Sequence, residues 1–224
     1  MLYRAIFYKE WLKIRWVVVG STLAILGLTG YLGLDVRQYF KMNEPINVWV
    51  FIIQRKVLYY SVFKYIPLFI GIILAVAQFT PEMIKKRYRL MFHLPYSETK
   101  SLLIMSGIGL SFLLLNALLI LIGLGIIGTI YFPAEVTGSS IITVLPWLLA
   151  GLVGYLASAA VILEPSWKYR IVYTLFFSPF IQSLFLERGY NEYQHSLGAY
   201  LMTALLFGII ILFPGYRLRK GSVK

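Results

Sequence analysis

Long apolar runs separated by short polar breaks frame this chain. Trp16 to Leu34 carries no charge over 19 residues. As a helix it measures about 28 Å, enough to cross the hydrocarbon core of a bilayer. Similar runs follow at 57–80, 101–130, 143–163, 168–186 and 197–214. The pattern predicts an all-α polytopic membrane protein with six spans, forming a single domain over 1–224. Pro67 is expected to kink the second span, and Lys64 to snorkel outward from it. The third run is longer than a bilayer core and must tilt or project. Ser178-Pro179 and Gln182 interrupt the fifth.

The breaks carry their own pattern. In residues 1–15, Tyr3, Phe7, Trp11 and Ile14 recur at helical spacing, while Lys9 and Lys13 lie elsewhere on the wheel. An N-terminal interfacial amphipathic helix is expected there. Residues 46–56 predict a short half-apolar surface helix with Trp49 as an interface anchor. Residues 131–142 predict a loop around Pro133, Glu135 and Gly138, and 187–196 a second loop on the same side. Residues 164–170 predict a tight turn on the opposite side.

Composition sharpens this picture. Only 13% of the 224 residues are charged and 59% are hydrophobic, about half the charge of a soluble domain. The net charge is +12. The basic residues sit at the ends of apolar runs, so lipid headgroups account for them and nucleic acid is not an expected partner. Fifteen of the 21 lysines and arginines fall in 1–15, 81–100, 164–170 and the C-terminal tail. That bias predicts both termini in the cytoplasm, and a bacterial inner membrane is the expected location. With no cysteine and two distant histidines, neither a metal site nor a cysteine nucleophile is expected.

The densest charge lies in 78–97, QFTPEMIKKRYRLMFHLPYS. Pro81 and Glu82 suit a helix start. Lys85, Lys86 and Arg89 fall on one helical face, Leu94-Pro95 would end the helix, and Ser97 would cap the next. Charge alone makes this a topology signal. The order of residues adds to that. Glu82, Arg87, Arg89, Leu90, Leu94, Pro95 and Ser97, placed after the second of six spans, resemble the cytoplasmic coupling loop of ABC type-2 permeases. The six spans, the interfacial N-terminal helix and the second cytoplasmic turn at Glu164 to Arg170 are similar too. The segment between the fifth and sixth spans is shorter than the family often has.

That resemblance implies a permease subunit of an ATP-driven exporter, working as a homodimer or heterodimer. It implies that Glu82, Lys85, Lys86, Arg87, Arg89, Leu94, Pro95, Ser97 and Glu164 meet a separate ABC ATPase, present in two copies. The chain holds no G-x-x-x-x-G-K-[ST], so ATP and magnesium belong to that partner, and no cofactor or catalytic residue is expected here. Asn116 and Gln182 are the polar residues expected to line a pathway or join helices, and Gln78 is a third polar residue that avoids lipid. Glu164 is expected to pair with Lys168 or with the ATPase. Gly151-x-x-Gly154-x-x-x-Ser158 and Gly107-x-x-x-Ser111 offer small-residue faces for close packing. The rival classes are a non-catalytic membrane anchor or assembly subunit, and an intramembrane enzyme.

Overall fold

A computed structural model describes residues 2–44, 46, 48–49, 57–84, 98–186 and 189–219. The described residues form helices and turns, with no strand among them. The helices are α1 (Leu2–Met42), α2 (Ile66–Ile84), α3 (Glu98–Tyr131), α4 (Ala134–Leu163), α5 (Trp167–Ser183), α6 (Leu197–Ile210) and α7 (Leu212–Arg219). A single 3-10 turn, Ser61–Phe63, precedes α2.

Five described helical segments are long and apolar enough to cross a membrane: 6–42, 61–84, 100–131, 134–163 and 197–214. α5, with 17 residues, measures about 25 Å. The outward faces carry large apolar side chains, among them Leu23, Leu118, Ile122, Leu201 and Leu205, each more than half exposed. A surface of that kind is stable against lipid and costly against water.

α4 is the central helix. It packs most closely on α2 and also touches α3, α5 and α6. Two glycines set the α2–α4 distance. A Cβ on Gly71 would collide with the Gly151 carbonyl, and one on Gly151 would lie 2.6 Å from the Pro67 carbonyl oxygen. The small-residue face expected at 151–154 therefore joins α4 to α2. Gly107 faces open space, and Ser111 donates to the carbonyl of Gly107 in its own helix. That second face packs against nothing described.

Helices depart from the sequence pattern in five places. α1 runs unbroken from Leu2 to Met42, so residues 2–15 extend the first span and do not form a separate surface helix. Their inner face is buried through Glu10 and Ile14, and Trp11 stacks on Phe112 of α3 with ring centroids 5.4 Å apart. α2 continues through Pro81 to Ile84, the last residue described there, so Pro81 and Glu82 lie within a helix that began earlier and do not open one. Proline removes one backbone donor there, and ion pairs made by Glu82 tie this turn to α1. Pro67 sits at the second position of α2, where it needs no hydrogen-bond partner and causes no mid-span kink. The loop expected over 131–142 shrinks to Phe132 and Pro133, because α4 starts at Ala134. α5 continues through Pro179.

Two aromatic and polar layers close the opposite end of the bundle. Trp49 donates from Nε1 to the Tyr131 carbonyl over 3.3 Å. The 189–196 turn is tied to α4, since the Asn191 amide donates to Thr143 Oγ1 and its side chain to Ser139 Oγ, both over 3.1 Å. Asn191 has φ 58°, a left-handed conformation that asparagine tolerates better than most residues. Tyr190 donates to the Val57 carbonyl over 3.0 Å, and burial pushes its phenol above the ordinary range.

Candidate functional site: a buried charge cluster at the base of the basic segment

The end of α2 meets the start of α1 through four charged side chains. Lys13 Nζ lies 2.6 Å from Glu10 Oε1 and 2.5 Å from Glu82 Oε1. Lys9 Nζ lies 2.8 Å from the same Glu82 oxygen. Both carboxylates are buried, and Lys13 is nearly so, while Lys9 is about half exposed. Two ammonium groups therefore balance two carboxylates, and Lys13 bridges them. Spacing explains part of this. Glu10 and Lys13 are three apart on one helix and meet on its inner face, whereas Glu82 arrives from 69 residues away.

The cluster extends inward through Gln78. Its Nε2 donates to Glu10 Oε2 over 3.1 Å and to the Met105 carbonyl over 2.8 Å. Its Oε1 accepts from the Tyr155 hydroxyl over 2.7 Å. One amide thus joins side chains of α1, α2 and α4 to the backbone of α3. Gly109 makes this possible. A Cβ there would run into the Tyr155 hydroxyl and lie 2.6 Å from Gln78 Oε1. Buried polar groups that share hydrogen bonds in this way hold one another in place, and removing one member leaves the others unpaired at a cost.

A second, smaller cluster joins the C-terminal end of α4 to the tail. Glu164 is fully buried, and Arg217 Nη1 lies 3.3 Å from its Oε2. The Ser166 amide donates to Glu164 Oε1 over 3.3 Å, and Arg170 Nε donates to the Glu164 carbonyl over 2.8 Å. Arg217 also covers the Tyr169 ring at 3.5 Å. Within the chain the partner of Glu164 is therefore the tail arginine, where Lys168 was expected.

The sequence-predicted residues divide as follows. Glu82 and Glu164 are both buried, and each is ion-paired inside the chain. Lys85, Lys86, Arg87, Arg89, Leu94, Pro95 and Ser97 lie outside the described residues. Asn116 joins α3 to α1, donating to Ser21 Oγ over 3.0 Å and accepting from Thr22 Oγ1 over 3.4 Å. The cavity beside it measures about 10 Å³, at the lower limit for one water, so Asn116 works as interhelical glue. Gln182 is exposed and borders an open groove of about 370 Å³ between α2, α4 and α5.

Sequence reasoning passed over Glu10, Lys13, Tyr155 and Arg217. The Glu10–Lys13 spacing was the one available signal. Among the described residues no group of three or more His, Cys, Asp or Glu side chains is placed to hold a metal. No protein-family model, curated protein or solved structure matches this chain.

Proposed function

We propose that the chain is the permease subunit of an ABC exporter, coupled to a separate ATPase through the basic segment that follows α2. One observation carries this reading. The buried cluster of Lys9, Glu10, Lys13, Gln78 and Glu82 lies at the foot of that segment, two residues before α2 ends at Ile84. A force applied to the segment enters α2 at Glu82. It passes to α1 through Lys13, and to α3 and α4 through Gln78. Glu82 and Glu164 then transmit load within the chain, and the contact with the ATPase falls to Lys85, Lys86, Arg87 and Arg89.

In this reading α5 is the fifth of six spans, added to the five segments above, and both termini lie on the cytoplasmic side of a bacterial inner membrane. The groove between α2, α4 and α5 is half of a pathway that a second permease protomer completes, with Gln182 on its wall. ATP and magnesium act on the partner.

The test is co-purification of the chain with an ABC ATPase, and the stimulation of ATP hydrolysis, after Arg87→Ala combined with Arg89→Ala. Loss of both with the helical content unchanged is expected. An intact complex with unchanged hydrolysis would overturn the coupling claim and favour the anchor or assembly reading.

A further inference from the structure

About 26 residues along α1 from the buried cluster, or some 39 Å, the other end of the bundle holds a cavity of about 480 Å³. That volume falls in the range of small-molecule sites. The last two turns of α1, the 57–61 turn and Phe132 enclose it. Three rings build one wall. Tyr59 stacks on Phe132 with centroids 4.6 Å apart and planes 25° off parallel, and Phe40 meets Phe132 edge-on at 5.5 Å. Tyr39 and Asn43 complete the rim.

Asp35 is the charged residue lining the cavity among the described residues. It is half-buried and makes no ion pair with any described residue. Arg37 and Lys41 are exposed. They lie roughly 200° and 240° around the helix from Asp35 at 3.6 residues per turn. Neither lines the cavity, so neither neutralises the carboxylate from within it.

A carboxylate in a cavity lined by aromatic side chains selects its ligand by charge and shape. The carboxylate attracts a cation, and the negative faces of the rings hold it with its apolar body. An anion would be repelled by Asp35. A neutral apolar molecule would strip water from the carboxylate and return nothing. Burial pushes the Tyr59 phenol above its ordinary range, so it adds no second negative charge. We infer that this cavity is a binding site for a monovalent organic cation of the aromatic or short-alkyl ammonium class. The inference is independent of how the chain couples to an ATPase.

The experiment uses the full chain in lipid nanodiscs and equilibrium dialysis of benzyltrimethylammonium, with benzenesulfonate as the anionic match. Saturable binding of the ammonium alone is expected, weakened about tenfold by Asp35→Asn and retained in Asp35→Glu. Tyr39→Ala, at an exposed position, should weaken binding without unfolding the chain, and Arg37→Gln should not weaken it. Equal binding of benzenesulfonate, an unchanged affinity in both Asp35→Asn and Tyr39→Ala, or no saturable binding would overturn the site.

Discussion

Lys13 and Lys9 touch the same oxygen of Glu82, but their surroundings differ. Lys13 is nearly buried and also holds Glu10, whereas Lys9 is about half exposed. Removing Lys13 would leave two buried carboxylates facing each other's charge with one half-exposed lysine. Lys13→Met should therefore cost about 3–5 kcal/mol, and Lys9→Met about 1 kcal/mol or less, because solvent already screens that pair. Reversible unfolding in mixed micelles, followed by far-UV circular dichroism, separates the two. Equal losses would mean that burial does not govern the cluster. The same residues show what the sequence could not yield. Glu82 was visible as an acid beside a basic segment, but its partners stand 69 positions away, and spacing rules reach only one or two turns. Glu10 drew no reading from the sequence, and its burial follows from the inner face of the continuous α1. Arg217 looked like a tail residue for lipid headgroups until it met Glu164.

Helices were legible wherever an apolar run was long, since length and composition decide that. Their ends were not. Pro81-Glu82 has the chemistry of a helix start, but in the fold it lies inside α2, where Glu82 makes ion pairs with α1. Glu135, Thr137 and Ser140 look like loop residues. In the fold, Thr137, Ser140 and Thr143 of α4 back-bond to carbonyls four residues earlier, Thr137 to that of Pro133 just before the helix, which satisfies their hydroxyls without breaking the helix. The small residues of α4 were readable as a packing face, and the fold supplied the partner helix. Gly71→Ala and Gly151→Ala should each destabilise by about 1–3 kcal/mol through overpacking between α2 and α4. Gly125→Ala, where a Cβ meets open space, should be neutral or mildly stabilising, as alanine favours helix over glycine. Comparing the three by thermal inactivation in one detergent checks this, and similar effects at all three positions would contradict the packing.

Contacts give the whole molecule its direction. The start of α1 meets the end of α2 through Lys13 and Glu82, and the end of α4 meets α7 through Glu164 and Arg217. In the proposed reading those two charge clusters are where an outside force would enter, and Gln78 would distribute the load over four helices. That proposal, and not the anchor reading, gives the polar network next to the basic segment a use. The most direct test is native mass spectrometry of the complex drawn from membranes through a tag on this chain. The account predicts two permease chains, either two copies of this one or this chain and a second permease, together with two chains carrying an ABC ATP-binding loop. Recovery of the chain alone, or only with partners that lack such a loop, would contradict it.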